Sequence, residues 1–137
     1  MSTFPLKIVT PDGLLFDGEA QRIIVRTREG DMAVMARHIN CVAPLGMGRA
    51  TVVDADGNRR YAACIGGMLS VQNGEVTLVP TTFEWAESID TDRVAVSMKK
   101  ANAILGNDRA SGSDVALAQA RLHRALVRQS VASSHLK

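Results

Sequence analysis

The stretch Ser88-Ile89-Asp90-Thr91-Asp92-Arg93-Val94 holds an acid and an arginine three positions apart, Asp90 and Arg93. At a helix start that spacing supports two kinds of chemistry. The Asp90 carboxylate, or the Ser88 hydroxyl, can cap the first turn by accepting a backbone N–H. The guanidinium can pair with an anion. Further on, Arg121, Arg124 and Arg128 recur at intervals of three and four and so share one helical stripe. Clustered arginines repel one another unless an anion sits among them. Three readings stand side by side: a solvated basic face, a phosphate-bearing ligand, or an acidic partner surface.

Other reactive residues do not assemble. His38 and Cys41 have H-x-x-C spacing, but two ligands fall short of the four a structural zinc site wants, so no metal is expected. Cys41 and Cys64 lie in apolar, strand-like runs and read as reduced thiols, with a disulfide as the other reading, which the context does not ask for. His38, His123 and His135 are scattered. No phosphate-binding G-x-x-x-x-G-K, no H-E-x-x-H and no G-x-S-x-G occurs. Nothing brings together a nucleophile, a base and a group to orient it. The chain therefore reads as a non-enzyme with no catalytic residues.

Charge separates the two ends of the chain. Residues 1–86 carry 8 Lys and Arg against 9 Asp and Glu; residues 87–137 carry 8 against 5. The tail is the basic part of a chain whose net charge is only +2. Aromatics are 4% of the 137 residues, too sparse for a base-stacking platform. A small basic nucleic-acid-binding adaptor with a β-sandwich is kept as the alternative reading, though no nucleic-acid partner is expected. The opening residues show no signal-peptide pattern, and no run approaches the ~18 apolar residues of a membrane helix.

Two segments must position these residues. Residues 1–86 read as short strands. Pro11-Asp12-Gly13, Asp56-Gly57-Asn58 and Asn73-Gly74 are turn signals between Ile- and Val-rich runs. Around Asn73-Gly74, Leu69, Val71, Val76 and Leu78 alternate with polar residues, as in a hairpin with one buried face. Gly66-Gly67 reads as a bulge or a close approach of two sheets.

From 87 the period changes. Val94, Met98, Ala101 and Leu105 fall on one helix face; Val115, Ala118, Leu122, Ala125 and Val131 fall on another. Gly106-Asn107 suits a helix stop, and Ser111 with Asp114 has capping-box spacing. The expected fold is α+β: an N-terminal antiparallel β-sandwich (1–86), then a C-terminal antiparallel two-helix hairpin (87–137). Phe83 and Trp85 are expected to pack the hairpin against the sandwich. Aligning Leu105 with Asp114 across a loop of about seven residues sets Arg93 near Leu126, beside Arg124 and Arg128.

A sandwich of this size followed by a helical hairpin resembles the epsilon subunit of bacterial F-type ATP synthases. The stretches 11–38, 66–79 and 89–94 carry the resemblance, through their order and spacing. It implies a rotor subunit of the central stalk that couples the catalytic head to the proton-driven ring and restrains ATP hydrolysis. The implied partners are gamma, the c subunits of the rotor ring and, when the hairpin extends, the alpha/beta head. The implied location is peripheral, at the cytoplasmic face of the cell membrane. By the same resemblance Glu29, Gly30, Asp31 and His38 match the loop region facing the ring; for His38 a loop histidine packed at the base of the sandwich is the other reading. Arg121, Arg124 and Arg128 are the expected inhibitory contact with the head. Ile89, Asp90 and Arg93 are similar to the I/L-D-x-x-R-A motif of members whose hairpin binds ATP. Arg124 and Arg128 would complete that site, and Val94 stands where the motif has Ala. No cofactor is implied beyond ATP as a regulatory ligand.

Overall fold

The computed structural model describes residues 2–135, with the side chain of His135 left out. Seven strands come first: β1 (Phe4–Thr10), β2 (Gly13–Thr27), β3 (Gly30–Met35), β4 (Cys41–Pro44), β5 (Met47–Asp54), β6 (Arg59–Gln72) and β7 (Glu75–Trp85). A 3-10 turn at Ala86–Ser88 leads to helices α1 (Thr91–Leu105) and α2 (Gly112–His135). The chain divides into two units, residues 1–85 and 86–137.

In the first unit the strands follow the order β1-β7-β6-β5-β2-β3, and β1 also pairs with β2, which closes the circuit. Closure is possible because β2 is long and serves two layers. Its first half pairs with β1, and its second half pairs with β5 and β3. A register irregularity between Ala20 and Arg22 marks the passage from one layer to the other. All pairings are antiparallel except β1 with β7, which is parallel. No hairpin joins those two strands, so no turn dictates their direction, and the sheet is mixed where pure antiparallel pairing was expected.

Alternation puts Leu6, Ile8, Ile23, Val25, Val34, Val52, Leu69 and Leu78 inside, each essentially without solvent contact. Asn73 and Gly74 form the tight β6–β7 turn with φ of 51° and 82°, the left-handed values a type I′ turn demands. Phe83 and Trp85 belong to the core of the sandwich itself. Trp85 meets Phe83 edge-on at 5.0 Å between ring centroids, and the Arg60 guanidinium covers its ring at 3.7 Å.

The Gly66-Gly67 pair resolves as a close approach of two neighbouring strands, β6 on β7, rather than of two sheets. A Cβ on Gly67 would lie 2.1 Å from the Val79 carbonyl oxygen, and φ there is +103°. Here β6 exchanges β5 for β4 along one edge, held by Leu45 N–H to Gly67 O at 2.8 Å and Gly66 N–H to Gly46 O at 3.0 Å.

In the second unit α1 and α2 pack together, and the 3-10 turn packs on α2. Val94, Ala101, Ala118, Ala125 and Val131 are buried, so the predicted faces are the ones the helices hide. Alanines at these positions let two helix axes come close. The helices end and start at the expected signals, Gly106 and Ser111. Gly106 is right-handed (φ −85°, ψ 0°), so no left-handed stop is used; its N–H bonds Asn102 O at 2.9 Å instead. The second helix begins at Gly112, two residues before Asp114, with Ser111 Oγ accepting the Asp114 N–H at 3.1 Å.

Candidate functional site

Asp90 is the N-cap of α1. Its backbone is extended (φ −83°, ψ 99°), and Oδ1 accepts the Arg93 N–H at 3.1 Å. Capping engages that oxygen and leaves Oδ2 as a further acceptor. Ile89 is buried, while Asp90 and Arg93 are exposed. On α2, Arg121 is exposed and Arg124 and Arg128 are half-buried.

With α1 ending at Leu105 and α2 starting at Gly112, antiparallel pairing at about 1.5 Å per residue sets Arg93 opposite Arg124. The 3-10 turn just ahead of Asp90 packs on α2, which puts the start of α1 beside that helix. One end of the hairpin therefore carries the Asp90 carboxylate with Arg93, Arg124 and Arg128. Such a group can take an anion bidentately, and a nucleotide would present phosphates to the guanidinium groups and donors to Oδ2.

The sandwich carries the other expected site, and the structure divides it. Arg28 and Glu29 form the β2–β3 turn, closed by Thr27 Oγ1–H to Gly30 O at 2.7 Å and Glu29 N–H to Thr27 Oγ1 at 3.2 Å. Gly30 has φ +126°, a value glycine adopts without strain. Asp31 pairs with Arg26 Nε at 2.7 Å, both side chains about half exposed. His38 lies beyond the other end of β3, so a strand of about 17 Å separates it from Gly30. Its Nδ1 lies 2.8 Å from Ile39 O. A carbonyl only accepts, so Nδ1 is the donor in that contact. Glu29, Gly30 and Asp31 thus form one patch and His38 belongs to a second.

Two further surfaces escaped the sequence reading. Outward-facing Pro44, Met68 and Val79 stand in register across β4, β6 and β7, with Val42 beside them on the same face. Val42, Met68 and Val79 are 65%, 42% and 47% exposed. A second row, Met35-Arg22-Val53-Arg59, crosses β3, β2, β5 and β6. Alternation signals which residues face out, but only strand pairing shows which of them become neighbours.

Both cysteines are free thiols, and burial pushes the Cys64 pKa up to about 12. Among the described residues no group of three or more His, Cys, Asp or Glu is arranged to hold a metal ion. No helix among them is long and apolar enough to cross a membrane.

Sandwich and hairpin together define a class. Residues 3–86 match the family model of the β-sandwich domain of ATP synthase delta/epsilon chains. The chain is 38% identical over 134 residues to the ATP synthase epsilon chain of Bacillus velezensis, covering 98% of this chain and 100% of that one. It is 37% identical to the epsilon chain of Macrococcus caseolyticus, covering 96% and 98%. The chain belongs to the ATP synthase epsilon chain family. Two solved structures share the fold: a chain of the Euglena gracilis mitochondrial ATP synthase (TM-score 0.83, 22% identity, 95% of this chain and 81% of that one) and one of the Tetrahymena thermophila central stalk and c-ring (TM-score 0.63, 16% identity, 93% and 95%). As an epsilon chain the protein is a non-catalytic subunit with a rotor and regulatory role, coupling the catalytic head to the c-ring in the central stalk. This family membership lends no support to the nucleic-acid reading.

Proposed function

We propose that the sandwich grips gamma through the outward row of β4, β6 and β7, and that the hairpin is the regulatory element. The apolar row carries this reading. Val42, Met68 and Val79 are large side chains on one regular sheet face, and each stays substantially in water. Burying them against a partner gains roughly 25 cal/mol per Å² of apolar surface, and contiguous exposed apolar patches mark interaction sites. In a central-stalk subunit the shaft is the partner that must not slip.

The β2–β3 turn, with Glu29, Gly30 and Asp31, offers the ring a polar contact, and the loop holding His38 offers a second one. Arg121, Arg124 and Arg128 suit an acidic segment of the alpha/beta head when the hairpin extends. ATP is the regulatory ligand this reading assigns to Ile89, Asp90, Arg93, Arg124 and Arg128. Held among these groups, it would favour a hairpin that does not engage the head. This places the subunit peripherally, on the cytoplasmic face of the membrane that carries the ring.

The test is a pull-down with gamma. Wild type is retained, and Met68→Asp with Val79→Asp lowers affinity at least tenfold while circular dichroism stays unchanged. Full retention of that double variant would remove the β4–β6–β7 face as the grip. Titration calorimetry with ATP decides the ligand separately: heat that Arg124→Ala abolishes supports the hairpin site, and no heat in wild type eliminates it.

A further inference from the structure

The row Met35-Arg22-Val53-Arg59 encloses a cleft of about 340 Å³, lined by Gln21, Arg22, Met35, Val53, Gly57 and Arg59. Its volume lies in the range of small-ligand sites. Two of the six lining residues are arginines, and none is acidic. Arg22 and Arg59 stand on strands separated only by β5, about 10 Å apart, and their side chains flank the same valine. Val53 is buried and Met35 is apolar, so floor and one wall supply no counter-charge.

The decisive feature is Arg22. Its Nε is buried, yet has no hydrogen-bond partner among the described residues. A buried donor on a charged group is costly to leave unmade. None of the nearby acceptors bonds Arg22 Nε. Asp54 Oδ1 accepts the N–H groups of Asp56 and Asn58, both at 2.9 Å. Asp31 pairs with Arg26. The Gln21 amide donates to Ala55 O at 3.0 Å. No described residue satisfies Arg22 Nε, and the cleft that Arg22 lines leaves room for an acceptor that arrives from outside.

We propose that this cleft is an oxyanion site for a phosphate group, held by Arg22 and Arg59 over Val53. Guanidinium forks match the geometry of phosphate oxygens, and the apolar floor strengthens each charge-assisted bond. The site lies within the sandwich and uses no residue of the hairpin, so it is separate from the ATP reading of Asp90 and Arg93. The phosphate can belong to a soluble anion or to a lipid headgroup; the chemistry at the two arginines is the same.

The full-length chain serves for the test, observed through the Nε–Hε resonance of Arg22. In one arm inorganic phosphate is titrated against potassium chloride of equal ionic strength. In the other, vesicles of phosphatidylglycerol in phosphatidylcholine are compared with phosphatidylcholine alone by co-sedimentation. Arg59 is exposed, so Arg59→Gln leaves the fold intact even where Arg22→Gln does not. The expected result is a saturable shift with phosphate, absent with chloride, weakened at least tenfold in Arg59→Gln and unchanged in Arg109→Gln. Anionic-vesicle binding that Arg59→Gln abolishes, without a phosphate shift, identifies the headgroup as the source. A shift of equal size with chloride overturns the proposal. So does the absence of both a phosphate shift and any Arg59-dependent vesicle binding.

Discussion

Asp90 shows how one side chain can be assigned two tasks and how to separate them. Its Oδ1 caps α1, and such a cap is worth about 1 kcal/mol against alanine. Asparagine caps almost as well but carries no charge. Asp90→Ala should therefore lower hairpin helicity, read by circular dichroism, and lower stability by about 1 kcal/mol. Asp90→Asn should keep both within error, so any loss of ATP affinity in that variant reports the carboxylate alone. Equal helicity loss in the two variants would mean that Asp90 does not act as the cap. The cap was legible in the sequence because it is local: donor and acceptor are three residues apart. Cys64 is likewise decided by its immediate surroundings. Burial holds its thiol pKa near 12 against an ordinary value of 9.0, so the folded state keeps a proton that the unfolded state loses. Below pH 9 this group contributes no pH dependence; as pH climbs from 9 towards 12, the folded state loses stability. At pH 8 an alkylating reagent should label the half-buried Cys41 and spare Cys64 until denaturant is added. Labelling of both at equal rates in the native protein would contradict that burial.

At the scale of elements, legibility depended on range. The β6–β7 hairpin was readable from alternation and Asn73-Gly74, since turn and pairing lie within a dozen residues. The parallel β1–β7 contact joins residues some seventy positions apart, and no local signal announces it. The same holds for β2 serving two layers. It also explains why Glu29 and His38, close in sequence, are set apart by β3. Phe83 and Trp85 lie in the sandwich core because β7 runs on to Trp85 and carries both inward, a course no local signal at the boundary announces. The switch of β6 between β5 and β4 rests on Gly67. Gly67→Ala places a methyl against the Val79 carbonyl at φ +103°. It should cost about 3 kcal/mol, combining overpacking with left-handed strain, measured as a shift in the urea midpoint at unchanged m. Gly57→Ala is the matched control. It has φ +85° but open space, so only the strain part, about 1 kcal/mol, should appear.

For the whole molecule, the question is which unit needs the other. Every residue of the sandwich's hydrophobic cluster lies between Phe4 and Trp85, so the first unit has a core of its own. The hairpin hides Val94, Ala101, Ala118, Ala125 and Val131, mostly small residues with little apolar area to bury. Helices of 15 and 24 residues with such a seam are marginal alone, and their net charge is positive. A chain cut after Trp85 should therefore unfold cooperatively in urea and still be retained by gamma. Assembled with the catalytic head, it should leave ATP hydrolysis less restrained than the full chain does. The arginine stripe predicts an intermediate case. Arg121→Ala, Arg124→Ala and Arg128→Ala together should release part of that restraint while the hairpin stays helical. Raised salt should weaken the restraint of the full chain, because contacts made by guanidinium groups at a surface are screened over about 10 Å at 0.1 M. Hydrolysis rates of the reassembled head, measured with each chain at two salt concentrations, decide the matter. If the truncated chain restrains hydrolysis as well as the full chain does, regulation resides in the sandwich and the arginines of α2 have no part in it.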